Sequence, residues 1–203
     1  MKRKIKRYIR DYEYYGQWYA NSYAQVEHLF GEHARLFCAL LAATSPRIHV
    51  QRNWRFAVRL LKGYLRGHNP DYRELLPCHI PNIKRAFAGE ELSGYKVNSF
   101  YHNLIGDADH VTIDTWMLVF FGITELKVQN RIMNAKFRYN QYAEKIRRYA
   151  DIFSLTAMEL QAIIWTGTRA DAGYRPVSFY SVGQDQNQQV FAFAEEEEEY
   201  IPF

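Results

Sequence analysis

Two stretches decide the interpretation of this chain: Gly94-Tyr95-Lys96-Val97 and, further on, Val111-Thr112-Ile113-Asp114-Thr115-Trp116-Met117. Lys96 begins an amphipathic segment that we expect to be helical, and Gly106-Asp107-Ala108-Asp109 is typical of a turn. Asp114 precedes a second apolar segment, where an aspartate is favoured as a helix N-cap. The pattern predicts two short helices, with a lysine at the start of one and an aspartate at the start of the next.

Helical periodicity also dominates the rest of the chain, so the fold class is predicted to be all-α. Thr156 and Glu159 have capping-box spacing, and the run His110–Ile113 is too short to form a sheet by itself. We expect one helical domain over residues 1–190 and a mobile acidic tail over residues 191–203. The predicted helices cover residues 17–43, 47–65, 81–89, 96–105, 114–121, 130–153 and 156–165.

The charge distribution suits a protein that binds a polyanion such as DNA. The chain has 26 Lys and Arg residues and a formal net charge of +4, but five of its acids form the run Glu195–Glu199. Without that run, residues 1–194 carry a net charge of +9. A basic body with an acidic tail is typical of a protein whose tail competes with nucleic acid for one surface. The alternative is that the basic residues are simply solvated helix faces.

Other composition features limit the classes of protein. Cys38 and Cys78 are too few for a four-thiolate zinc or iron–sulfur site, and we expect no metal and no cofactor. The basic N-terminus lacks the apolar run of a signal peptide, and no stretch approaches the roughly 20 apolar residues of a spanning helix. We therefore expect a cytoplasmic monomer with no membrane partner, encoded by a bacterium or by a phage in a bacterial host.

The Lys96–Asp114 segment resembles the core of the helix-hairpin-helix DNA glycosylase superfamily, particularly the 8-oxoguanine glycosylase branch. That resemblance implies two helical lobes around a cleft. It implies that Lys96 is the nucleophile and Asp114 the catalytic carboxylate, and that the hairpin at Gly94 and Tyr95 grips a DNA phosphate. The chain departs from the family pattern at Leu92, where the first hairpin glycine would stand.

A second region supports the same resemblance. Residues 36–48 look like the early helix of the family, which runs into a loop at the DNA stack. Arg47 is the candidate wedge that fills the space left by a flipped base, with His49, Gln51 and Asn53 behind it. The alternative is a helix cap at Ser45-Pro46 beside a surface arginine. The candidate pocket residues are Trp116, Gln161, Trp165 and Arg169, and the last three share fourfold spacing on one helix face. The alternative is that these three form a buried stripe.

The chemistry of the pair favours an enzyme. Breaking an N-glycosidic bond builds positive charge at C1′, which a nearby carboxylate stabilises, and an unprotonated amine can attack the same carbon. We therefore expect a DNA glycosylase, with or without lyase activity, acting on a flipped-out damaged or modified nucleotide. Two alternatives stay open: a phage-type enzyme that hypermodifies thymine on the same fold, and a DNA-binding module without catalysis. If Lys96 is only a solvated residue and Asp114 only a helix cap, the module is favoured.

Overall fold

The computed structural model describes residues 1–185, and the predicted acidic tail lies outside them. The predicted all-α class is confirmed, since the described part of the chain contains helices and no strand. Two short 3-10 turns, Glu13–Gln17 and Gly31–His33, lie among the helices. The helices are α1 (Lys2–Tyr12), α2 (Trp18–Phe30), α3 (Ala34–Thr44), α4 (Val50–Leu65), α5 (Ile80–Phe87), α6 (Tyr95–Leu104), α7 (Thr115–Phe120), α8 (Leu126–Met133), α9 (Lys136–Phe153), α10 (Ala157–Asp171) and α11 (Phe179–Asp185).

The chain divides into two compact units that alternate along the sequence. Unit 1 combines residues 1–21 with residues 91–176, and unit 2 combines residues 22–90 with the described residues from 177 to 185. The boundary at Glu90 and Glu91 falls between α5 and α6. The two helices of the expected hairpin therefore belong to different units, and both the hairpin and the cleft between lobes stay predictions.

Unit 1 is built around α10, which packs against α1, α7 and α9. The capping box predicted at Thr156 is confirmed, because its hydroxyl accepts from the Glu159 amide while the Glu159 carboxylate accepts from the Thr156 amide. The crossing of α1 and α10 is close. A Cβ placed on Gly167 would lie 2.5 Å from the ring of Tyr8, so only glycine fits there without a shift.

Unit 2 is built around α3, which is almost entirely buried and packs against α4 and α5. Asn53 of α4 is 3% exposed and joins the two helices: its amide donates to Leu41 O, and its oxygen accepts from the Thr44 hydroxyl. Trp54 packs edge-on against Phe37 and lies tilted against Phe179 of α11. Each of these rings fills the apolar space beside α3.

Several helix boundaries differ from the sequence-based expectation, and α1 was not among the predicted helices. The segment predicted as one helix over residues 17–43 is divided at Gly31, whose φ of +50° lies in the left-handed region that favours glycine. The helix predicted over residues 130–153 is interrupted at Asn134 and Ala135, so α8 and α9 are separate. The last predicted helix continues past Trp165 to Asp171, which brings Arg169 onto α10. None of the described helices combines the length and apolarity needed to cross a membrane.

Candidate active site

Asp114 is held at the start of α7 by two donors. Its Oδ1 accepts from the Met117 amide at 2.9 Å, which confirms the predicted N-cap. Its Oδ2 accepts from Trp165 Nε1 of α10 at 2.8 Å. Both carboxylate oxygens are therefore fixed by the protein, and the side chain is only partly buried. This arrangement presents an oriented negative charge in unit 1.

Lys96 lies in the first turn of α6, also in unit 1. Its Nζ is 5.0 Å from the centre of the Phe100 ring, one turn further along the helix. Burial lowers the pKa of Lys96 from its usual 10.5 to about 8, although the negative charge of Asp114 acts in the opposite direction. Desolvation disfavours the ammonium form, so the amine is neutral far more often than that of a solvated lysine.

Two tryptophans connect the surroundings of Lys96 with those of Asp114. Trp18, at the start of α2, lies with its ring centre 6.3 Å from that of Phe100 and 6.0 Å from that of Trp165. Phe100 is the ring beneath Lys96 Nζ, and Trp165 is the donor to Asp114. A continuous aromatic surface therefore joins the two candidate catalytic side chains, and it supplies the low polarity that lowers the pKa of Lys96.

Arg169 stands beside this aromatic surface. Its guanidinium carbon is 4.4 Å from the centre of the Trp165 ring, 5.9 Å from that of Trp116 and 5.4 Å from that of Tyr174. Burial lowers the pKa of Arg169, while Asp114 acts to raise it. Three residues predicted to line a pocket, Trp116, Trp165 and Arg169, are thus brought together around Asp114.

Gln161 differs from the other three predicted pocket residues. It is 2% exposed, and its amide oxygen accepts from the hydroxyl of the buried Tyr19 at 2.8 Å. Burial raises the pKa of Tyr19, so its hydroxyl stays a donor. We therefore assign Gln161 to the packing behind Trp165, where it fixes α10 against α2 within residues 1–21 and 91–176, and no longer to the pocket wall.

The start of α6 has the backbone that a tight turn requires. Gly94 has a φ of +88°, and a Cβ there would meet nothing within 4 Å. The position therefore favours glycine because of its backbone conformation and not because a side chain would clash. Tyr95 follows it, 36% exposed, with its ring 5.7 Å from that of Tyr139. The Tyr139 hydroxyl donates to Val111 O and accepts from the Ile113 amide, and burial raises the pKa of Tyr139 to about 12. Tyr139 thereby positions the segment that leads to Asp114.

The predicted DNA-contacting residues of the second region all lie in unit 2. Arg47, His49 and Gln51 are exposed. Arg47 lies in the loop before α4 and has a φ of +62°, which is uncommon for a residue with a side chain. Asn53 is buried and bonded as described above, so we reassign it from DNA contact to the packing of α3 against α4.

Four residues of the site did not emerge from the sequence: Trp18, Phe100 and Tyr139 as neighbours of the pair, and Tyr19 as the partner of Gln161. Trp18 and Tyr19 belong to the aromatic N-terminal segment, and both are buried. The regular spacing of Lys96 and Phe100 on one helix face was the one local signal available. The other contacts join positions too far apart in sequence for any local pattern to indicate them.

Comparisons with known proteins add a family but no activity. Residues 11–172 match DUF7178, which is described as a family of unknown function. No curated protein and no solved structure matches the chain. The matched range includes α6, α7 and α10, so every residue described at the site except Tyr174 lies within the family's extent.

Proposed function

We propose that this chain, which belongs to the DUF7178 family, is a DNA glycosylase that acts on a flipped-out damaged or modified nucleotide. The observation that carries the proposal is that the carboxylate of Asp114, which is fixed by two donors, acts electrostatically on Lys96, an amine whose pKa is lowered by burial. A nucleophilic amine and an oriented negative charge are the two groups that cleavage of an N-glycosidic bond by covalent catalysis needs.

In this mechanism the lone pair of Lys96 Nζ forms a bond to C1′ of the target nucleotide. The electron pair of the N-glycosidic bond leaves with the base, which takes up a proton. Asp114 stabilises the positive charge that builds at C1′ while that bond breaks. The resulting N-glycosylamine loses a proton from nitrogen. Its C1′–O4′ bond then breaks, with O4′ taking up a proton, and leaves a protonated imine between Lys96 Nζ and C1′. Water adds to C1′ and releases the lysine amine, leaving an abasic sugar with an aldehyde at C1′. Asp114 suits its role because two donors prevent its carboxylate from turning away.

A basic face on α4 supports binding to DNA. Arg52, Arg55, Arg59, Lys62 and Arg66 recur at intervals of three and four residues, so they share one side of the helix. They line a groove of unit 2, where Arg52 and Arg59 also pair with Glu74. Arg55 is exposed. A row of cations can neutralise successive phosphates of a DNA strand. The contribution of these contacts to the affinity for DNA falls as the salt concentration rises.

The test is borohydride trapping of the full chain on a panel of duplexes that carry damaged or modified bases. We expect a covalent protein–DNA adduct with a susceptible substrate, because borohydride reduces the imine to a stable amine. Lys96→Gln should abolish the adduct while DNA affinity changes little. Lys127→Gln is the matched control, since Lys127 is an exposed lysine on α8 of the same unit, and it should trap as the wild type does.

The same reactions distinguish the other functions. Full base release by Lys96→Gln would refute the covalent step and favour water activated by Asp114. A base altered without loss from its sugar would refute glycosylase activity in favour of base hypermodification. DNA binding with no reaction on any duplex would favour a binding module. Affinity that does not fall with salt would refute the basic face, because each neutralised phosphate adds about 0.9 to the log–log slope.

A further inference from the structure

A second group of polar side chains lies in unit 1 at the end of α6, in the connection between Lys96 and Asp114. His102 is in the last turn of α6, and Asp107 and His110 lie in the following loop. Both imidazoles place Nδ1 against the same carboxylate oxygen, Asp107 Oδ2, at 3.2 Å for His102 and 3.1 Å for His110. One ligand atom from each residue lies within 4.8 Å of the other two.

We propose that His102, Asp107 and His110 bind a divalent transition metal of the zinc class, with solvent completing the coordination. Two imidazole nitrogens and a carboxylate oxygen are a donor set that suits Zn²⁺ and Co²⁺ better than Mg²⁺. Metal–ligand bonds of about 2.1 Å at tetrahedral angles place neighbouring ligand atoms about 3.4 Å apart. The two nitrogen–oxygen separations in the loop are close to that value.

The hydrogen bonding of His110 points the same way. Its Nδ1 is buried and makes no hydrogen bond, although it lies within ion-pair distance of Asp107 Oδ2. A buried polar atom without a hydrogen bond costs free energy, which a metal ligand bond would recover. The His102 and His110 rings are stacked, with centres 4.0 Å apart and planes at 8°. Because a nitrogen lone pair lies in its ring plane, the rings must tilt to bind; side-chain exposures of 27% and 34% leave them room.

The loop that carries two of the three ligands is held in place by residues behind it. Asn103 is fully buried, and its amide donates to Asp107 O at 3.0 Å and to His110 O at 2.8 Å. Thr112 in turn donates to the Asn103 oxygen at 2.7 Å. The second oxygen of Asp107 accepts from the Asp109 amide. Hydrogen bonds of this kind orient the ligand side chains before the ion binds and are typical of metal sites in proteins.

The sequence did not indicate this site, and we expected no metal. The three residues are spaced by five and three positions across the end of a helix, a spacing that matches no short metal-binding motif. His28 and His33, which lie five positions apart in the sequence, are not part of the cluster. A bound ion would join the end of α6 to the start of the run toward Asp114, and so would stabilise the connection between the two candidate catalytic residues.

The test is titration of the tag-free full chain with Co²⁺, Zn²⁺ and Mg²⁺. Binding is measured by calorimetry for all three ions and also by visible absorption for Co²⁺. We expect one equivalent of Co²⁺ or Zn²⁺ per chain, no binding of Mg²⁺ at the same concentration, and a raised Tm with Zn²⁺. Asp107→Asn and His110→Gln should each weaken binding by more than the tenfold to about hundredfold that loss of a supporting partner costs.

His28→Gln is the matched control, because His28 is an exposed histidine outside the cluster, and its affinity should equal that of the wild type. The Tm of each variant without metal shows whether it folds. Absence of stoichiometric binding to the wild type would overturn the proposal. Binding that survives in Asp107→Asn and His110→Gln at wild-type affinity would overturn it equally, since the ion would then lie elsewhere. Neither result depends on the proposed glycosylase activity.

Discussion

The amine of Lys96 should titrate near pH 8, and pulse acetylation between pH 6 and pH 11 measures this without any substrate. With a pKa of about 8, about one Lys96 amine in ten is neutral at pH 7. At its usual pKa of 10.5 the fraction is about one in 3,000, so burial increases the reactive form about 300-fold. The fraction labelled by a brief pulse of acetic anhydride should therefore rise steeply through pH 8.

Mass spectrometry can follow this site directly. After the pulse, the remaining lysines are acetylated with deuterated reagent under denaturing conditions, and trypsin then cuts only at arginine. The peptide spanning residues 86–131 carries both Lys96 and Lys127, so fragmentation gives the reactivity of Lys96 relative to an exposed lysine in one molecule. Asp114→Asn should move the Lys96 midpoint to lower pH, because it removes the charge that favours the ammonium form.

The free energy of unfolding should change with pH as Lys96 loses its proton. The unfolded chain holds the Lys96 proton up to about pH 10.5 and the folded chain only up to about pH 8, so the free energy of unfolding should rise between those values. The contribution is at most about 3 kcal/mol, since one pKa unit is worth about 1.4 kcal/mol. Lys96→Met should lose this rise. A Lys96 midpoint near 10.5, or one that Asp114→Asn moves upward, would refute the electrostatic account of the site.

Two further predictions concern packing and hydrogen bonds. Asp114→Asn leaves one acceptor oxygen for two donors, so it should lower the free energy of unfolding in urea by about 1–3 kcal/mol. In a Trp165→Phe background, which lacks one of the donors, the loss should be smaller by at least about 1 kcal/mol. Additive effects of the two substitutions would contradict the shared carboxylate. Gly167→Ala should lower the free energy of unfolding by about 1–3 kcal/mol because its Cβ meets the Tyr8 ring, whereas Gly63→Ala, in α4 with open space around it, should raise it by up to about 1 kcal/mol. Equal effects at the two glycines would show that helix propensity, not the close approach, decides the outcome.

Local chemistry explains which parts of the site could be predicted. The Asp114 cap and the Thr156 capping box depend on side chains that bond to amides three residues away, so their spacing is visible in the sequence. Fourfold spacing likewise placed Trp165 and Arg169 on one face of α10. It could not indicate that Gln161, on the same face, would be covered by Tyr19. Which end of a helical stripe is buried depends on a partner segment, and here that segment is more than a hundred residues away.

The breaks in the long predicted helices have a related cause. Apolar periodicity continues through Gly31, but the backbone leaves the helical conformation at Phe30 and is left-handed at Gly31. The His102–Asp107–His110 cluster was overlooked because a helix end and a turn, rather than a regular period, bring its members together. Periodic patterns predict regular helices well and the turns between them poorly. The clustered side chains lie at the end of α6 and in the turn that follows it.

The alternation of the two units along the chain has a consequence for synthesis on the ribosome. Residues 1–21 supply Ile5, Tyr8, Trp18 and Tyr19 to unit 1, but every other segment of that unit follows residue 90. While residues 22–90 are being translated, these apolar side chains have no native partner from residues 91–176. An N-terminal stretch in that position is exposed to chaperones and to self-association for longer than the segments that follow it. Variants that slow translation after residue 90 should therefore lower the soluble yield even though they leave the finished protein unchanged.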